Sequence, residues 1–157
     1  MSEPTEEELE EIWQFVNCYF DLNISSKNVK VNFGKCDEIL KDCRTQLPLY
    51  FNEMEKKLHS QIDPKDLETQ KDAEVAFAQI EGKGELRPIV CIFTDRLNAE
   101  NRMYQEFLRN HYSRKDYITF LVIHEFIHVL EHLIKKQLLT EPTLDIKIFL
   151  SFYRAKL

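Results

Sequence analysis

The sequence predicts an α+β protein, in which a small, partly antiparallel sheet of three or four strands packs on helices that include one long helix. Three observations lead to this fold class. Two segments carry helix capping boxes followed by apolar residues at helical spacing, and three short segments have the apolar patterns of strands. A length of 157 residues suits a single core. We therefore expect residues 1–157 to form one domain.

The helices are predicted from their caps and their apolar periodicity. Thr5 and Glu8 form a capping box at the start of a helix over residues 5–21. Ser113 and Asp116 form a second one, which opens a long helix that runs to about residue 140. Further helices are predicted over residues 35–59, 98–111 and 142–155.

Three segments are predicted to be strands. Residues 29–33 alternate between apolar and polar side chains and stop at Gly34. Residues 75–80 and 86–93 flank a glycine-bearing turn at 82–84, which is typical of a hairpin. The second hairpin strand has two interpretations, as a sheet edge that binds an extended peptide or as a core strand.

Composition and charge narrow the possible functions. The net charge of −6 argues against binding to duplex nucleic acid or to an anionic membrane. No run of about 20 apolar residues and no signal peptide is recognisable, and the four cysteines fit free thiols in a reducing compartment. The three glycines lie outside phosphate-binding motifs, which argues against a nucleotide cofactor. These features predict a cytoplasmic protein, and they leave its oligomeric state open.

The most informative motif lies on the predicted long helix, where residues 124–132 read HEFIHVLEH. His124 and His128 are four residues apart, so their imidazoles project from one helix face about 6 Å apart along the axis and can converge on one metal ion. Glu125 lies about 100° around the helix from His124, where it can reach water at the metal. The motif therefore predicts a Zn²⁺ site with Glu125 as the general base.

The chemistry expected of this site is the hydrolysis of an amide bond. Zinc lowers the pKa of bound water and polarises a carbonyl oxygen, and Glu125 takes the proton and delivers it to the leaving amine. We accordingly expect a hydrolase that acts on a peptide or protein substrate.

The segment from about residue 86 to residue 145 resembles the zincin metallopeptidases, in which strands form a layer above an HExxH helix. Within the zincins, residues 87–92 followed by 124–132 are loosely similar to the ImmA/IrrE-type branch. The segment between this strand and the motif helix is longer than in that branch, so the resemblance extends only to the zincin superfamily. The resemblance implies a zincin-like fold and a metalloprotease activity.

The resemblance also implies a third metal ligand, an acidic residue from the helix that follows the motif. Asp145, expected in the first turn of the last helix, is the first choice, and Glu141 is the next. Glu131, His132 and water stay open as alternatives. His132 is about 12 Å along the helix axis from His124, too far for the roughly 2 Å bonds that zinc forms.

Two other functions stay open. One is a non-catalytic protein-interaction module, a degenerate zincin that has kept the helix without its activity. The other is a metal-dependent nuclease or another hydrolase that uses the same histidines, although substrate phosphates require a local basic groove. Stoichiometric zinc separates the peptidase from the interaction module.

Overall fold

The computed structural model describes residues 3–39, 72–79 and 86–157. Within these ranges the protein is α+β, with a mixed sheet of three strands, which confirms the predicted class. The elements, in chain order, are α1 (Glu6–Tyr19), β1 (Lys30–Gly34), β2 (Ala73–Gln79), β3 (Leu86–Phe93), a short 3-10 helix (Thr94–Arg96), α2 (Arg102–Arg109), α3 (Arg114–Ile134) and α4 (Leu144–Lys156).

The chain forms two compact units. One, the helical unit, combines Met1–Lys27 with Tyr112–Leu157, and the other, the sheet unit, is the continuous segment Asn28–His111. The helical unit contains α1, α3 and α4, and the sheet unit contains the three strands and α2. The single domain predicted from chain length stays a prediction.

Both predicted capping boxes are present in the helical unit. The Thr5 side chain accepts from the backbone N–H of Glu8, whose carboxylate accepts from the Thr5 N–H in return. Ser113 and Asp116 make the same reciprocal pair at the start of α3. These caps satisfy N–H groups that have no partner inside the helix, so the sequence defines both helix starts locally.

The core of the helical unit is built on the indole of Trp13. Its ring meets that of Phe126 edge to face, with the ring centroids 5.0 Å apart. Its Nε1–H donates to the carbonyl oxygen of Ile24 at 2.7 Å. Burying a large ring whose polar atom has a partner is favourable, so this contact joins α1 to α3. Further buried side chains of this unit are Ile12, Val16, Tyr117, Ile118, Ile123, Ile127, Ile148 and Phe149.

The end of α3 differs from the prediction. The helix was expected to reach about residue 140, but it ends at Ile134 because Lys135 adopts a left-handed conformation with φ 56°. This conformation terminates a helix and is most often taken by glycine, so the sequence carries no ordinary stop signal here. Helix α4 begins at Leu144, and Pro142 precedes it instead of lying in its first turn.

The central strand of the sheet is β3, because the strand order is β1-β3-β2. It pairs in parallel with β1, for example Val31 with Val90, and antiparallel with β2, for example Val75 with Val90. Ile89 to Phe93 are all buried. The interpretation of this strand as a peptide-binding edge is therefore wrong, since a neighbour is hydrogen-bonded to each of its sides. The core-strand interpretation is confirmed.

The other predicted elements are confirmed only in part. Helix α2 is shorter than predicted, because Asn101 caps it and residues 98–100 form a turn before it. Residues 36–39 are helical, whereas the rest of the helix predicted over 35–59 lies outside the described residues. The hairpin turn at 82–84 also lies outside them, although its two strands pair as predicted.

Among the described residues, α3 is the one helix whose length and composition would suffice to cross a membrane. Sixty-seven per cent of its most apolar window is buried inside the protein. A core helix passes the same test of length and composition.

Candidate metal centre

The two histidines of the HExxH motif face each other on the surface of α3. His124 and His128 are one helical turn apart, and their Nε2 atoms are 3.1 Å from each other. Two nitrogen ligands of a tetrahedral zinc ion, each about 2.0 Å from the metal, lie about 3.3 Å apart. The observed separation is therefore close to the one that a shared metal ion requires.

The other ring nitrogen of His124 contacts a residue of α4. Asp145 Oδ2 lies 2.7 Å from His124 Nδ1, and Asp145 Oδ1 accepts from the backbone N–H of Ile146 at 2.8 Å. Asp145 lies in the first turn of α4, as predicted, where the helix dipole favours a negative charge. Its carboxylate therefore holds the His124 ring in a fixed orientation, with Nε2 directed to His128.

His128 has a carboxylate partner of its own on α3. Glu131 Oε1 lies 2.8 Å from His128 Nδ1, while Oε2 accepts from the backbone N–H groups of Leu138 and Leu139 at 2.8 and 3.1 Å. Partial burial raises the pKa of Glu131, but the hydrogen bonds from Leu138, Leu139 and His128 outweigh it and the net pKa is lowered. Glu131 is therefore an ionised acceptor at neutral pH.

Glu125, the predicted general base, is buried beside the pair. Its Oε1 lies 3.9 Å from His124 Nε2, and only 9% of its side chain is exposed. The two imidazoles are more open, at 33% for His124 and 43% for His128. The two imidazoles are thus partly open to solvent, whereas the carboxylate of Glu125 beside them is protected from it.

The candidates for the third metal ligand make different contacts in the structure. Glu141 pairs with Lys147 at 2.9 Å and has a half-exposed side chain, and both oxygens of Glu131 are occupied as described. His132 is exposed on α3. Among the described residues, no group of three His, Cys, Asp or Glu side chains is arranged to hold a metal. Asp145 as a direct ligand stays a prediction, and in this arrangement it contacts Nδ1 of His124 instead.

The sequence pattern pointed to the two histidines and Glu125 and named Glu131 only as an alternative ligand, so it missed the contact of Glu131 with Nδ1 of His128. The sequence did contain a signal for this contact. Residues three apart are neighbours on a helix surface, so the carboxylate of Glu131 can reach the imidazole of His128. The contact between His124 and Asp145 joins two helices and has no local signal in the sequence.

No family model, no curated protein and no solved structure matches this chain. The resemblance to zincin metallopeptidases therefore depends only on the sequence of the segment from about residue 86 to residue 145.

Proposed function

We propose that this protein is a zinc-dependent metallopeptidase of zincin type, with His124 and His128 as metal ligands and Glu125 as the general base. The observation that carries the proposal is the convergence of the two Nε2 atoms at 3.1 Å while each Nδ1 contacts a carboxylate. Metal-binding histidines commonly pair their second nitrogen with a carboxylate in this way. The two imidazole donors therefore suit zinc, which takes a third protein ligand in a catalytic site.

Bound zinc would polarise a substrate carbonyl and lower the pKa of water at the site. Glu125 would accept a proton from the attacking water, a role supported by the 3.9 Å distance between its Oε1 and His124 Nε2. It then delivers that proton to the leaving amine nitrogen. Hydroxide adds to the carbonyl carbon, the C–N bond breaks, and the products are an acid and an amine.

The charges around the pair favour an amide over a phosphodiester as the substrate. The carboxylates of Glu125, Glu131 and Asp145 lie beside the imidazoles. A phosphodiester would bring further negative charge to this acidic surrounding, whereas a neutral peptide group would not. A peptide or protein in the cytoplasm is the substrate that we propose.

The proposal is tested by measuring metal content by mass spectrometry on protein purified without chelators. We expect about one zinc per chain in the wild type and its loss in His128→Ala. His132→Ala is the matched control, since it removes an exposed histidine from the same helix and should keep the metal. No zinc in the wild type, together with no thermal shift on adding zinc, would overturn the proposal and favour an interaction module.

A further inference from the structure

The carboxylate of Glu131 joins His128 to the loop that follows α3. One oxygen, Oε1, contacts His128 Nδ1, and the other, Oε2, accepts from two successive backbone N–H groups, those of Leu138 and Leu139. The side chain is 17% exposed. One carboxylate therefore serves two different parts of the molecule.

The end of α3 makes this double contact possible. The left-handed conformation of Lys135 turns the chain out of the helix, and the N–H of Lys136 donates to the main-chain oxygen of Glu131 at 3.2 Å. The loop then brings the N–H groups of Leu138 and Leu139 to Oε2. Because Oε2 is held by two donors, the carboxylate has one orientation left, with Oε1 towards the imidazole.

We propose that Glu131 is a positioning residue that fixes the tautomer of His128, with the proton on Nδ1 and the lone pair of Nε2 directed to the metal position. An ionised carboxylate can only accept hydrogen bonds, so the nitrogen that faces it has to donate. A neutral imidazole binds a metal through the nitrogen without a proton. The metal part of this inference rests on the proposed function, whereas the tautomer does not.

An exposed pair three residues apart on a helix would not by itself impose a tautomer, because either side chain can turn away. The difference here lies in the two backbone donors, which hold the Glu131 carboxylate whether or not the imidazole is present. His124 contacts Asp145 of α4 through its Nδ1 in the same way. In the metal-free protein the two Nε2 atoms, 3.1 Å apart, share one proton in a hydrogen bond, which His124 donates when His128 has the Nδ1–H tautomer. A bound metal would take the place of that proton.

Glu131→Gln is the variant that separates positioning from loop anchoring. The glutamine amide oxygen can still accept from Leu138 and Leu139, and its NH₂ group then faces His128 Nδ1. That nitrogen has to accept, so the proton moves to Nε2, where it blocks metal binding. A purely structural role of Glu131 would leave the tautomer unchanged.

The test combines nitrogen-15 NMR of the imidazoles in metal-free protein with zinc titration against a competing chelator. We expect the Nδ1–H tautomer of His128 in the wild type and the Nε2–H tautomer in Glu131→Gln, with zinc bound about 10- to 100-fold more weakly in the variant. Glu11→Gln is the matched control, because it neutralises a half-exposed carboxylate that pairs with Lys156 and should change neither result.

Three outcomes would overturn the inference: an Nε2–H tautomer in wild-type His128, an unchanged tautomer in Glu131→Gln, or a changed tautomer with unchanged zinc affinity. The wild-type spectrum gives the first result even if the variant does not fold. If wild-type His128 has the Nδ1–H tautomer but the protein binds no zinc, the proposed function fails and the assignment of the tautomer to Glu131 stands.

Discussion

Asp145 and His124 lie on different helices, and their side chains meet at 2.7 Å between Oδ2 and Nδ1. This contact connects the start of α4 to the middle of α3 at the position where the motif predicts a metal ion. Asp145 therefore has two candidate roles: it orients His124, or it binds the metal itself.

The variant Asp145→Asn distinguishes these roles through zinc affinity. Asparagine can still cap the Ile146 N–H, so the fold should be retained. Loss of an orienting carboxylate weakens metal binding by about 10- to 100-fold, whereas loss of a direct ligand costs more than that. Titration with a competing chelator measures the change, and an affinity equal to that of the wild type would contradict both roles.

Replacing Glu125 should remove activity without removing the metal. In Glu125→Gln the side chain keeps its shape but cannot take a proton, and loss of a general base slows a reaction about 10²- to 10⁴-fold. The measurement is peptide cleavage followed by mass spectrometry, with metal content determined on the same samples. A variant that cleaves as fast as the wild type would exclude Glu125 as the base.

The buried side chain of Asn17 should contribute measurably to the stability of the helical unit. Its amide donates to the Trp13 carbonyl at 2.9 Å and accepts from the Ile24 N–H at 2.8 Å. Asn17→Ala leaves the Ile24 N–H without this acceptor, so we expect a loss of about 2 kcal/mol in the free energy of unfolding. Urea denaturation measures it. Gln14→Ala removes an exposed amide from the same helix and should change stability by less than about 0.5 kcal/mol.

The ion pair between Glu8 and Lys115 should make stability depend on pH. The hydrogen bond from Lys115 lowers the pKa of Glu8 below the ordinary value of 4.5. The pair therefore stabilises the fold above that value, and this contribution is lost as the pH falls through the lower folded-state pKa. Both side chains are more than one-third exposed, so solvent screening limits the contribution to about 0.5 kcal/mol.

Thermal unfolding of Lys115→Met measures this effect between pH 7 and pH 2.5. Removing the cation leaves the capping contacts of Glu8 with Thr5 in place. The variant should be less stable than the wild type at pH 7 and should approach it at the acidic end. The control is Lys147→Met, which removes a cation that pairs with Glu141 elsewhere in the helical unit. It tests whether the loss of any cation changes the pH dependence of stability in the same way. A difference that grows towards low pH would contradict the prediction.

The sequence predicted the parts of the fold that local interactions determine. The capping boxes at Thr5 and Ser113 act within a single turn, so both helix starts followed from the sequence. The pair His124 and His128 followed from helix periodicity in the same way. The end of α3 at Ile134 did not, because a lysine takes a conformation that usually marks a glycine.

The remaining features depend on contacts between distant parts of the chain. The central place of β3 requires β1 to pair with it in parallel, and no local pattern encodes strand order. The contact of Asp145 with His124 likewise depends on how α4 packs on α3. The sequence therefore named the candidate side chains but not the contacts that Asp145 and Glu131 make with the two imidazoles.

The discontinuous helical unit has a consequence for the synthesis of this protein. Helix α1 leaves the ribosome before α3, and the ring that packs against Trp13 belongs to Phe126 of α3, which is made much later. An isolated helix of 14 residues is marginal in water, so α1 has to wait, with its apolar side chains exposed, until the second half of its unit emerges. Strand β1 of the sheet unit also waits for its partner β3, but over a shorter stretch of chain. During translation, α1 therefore keeps its apolar side chains exposed for longer than β1 waits for β3, and a chaperone that covers α1 would protect the chain in this interval.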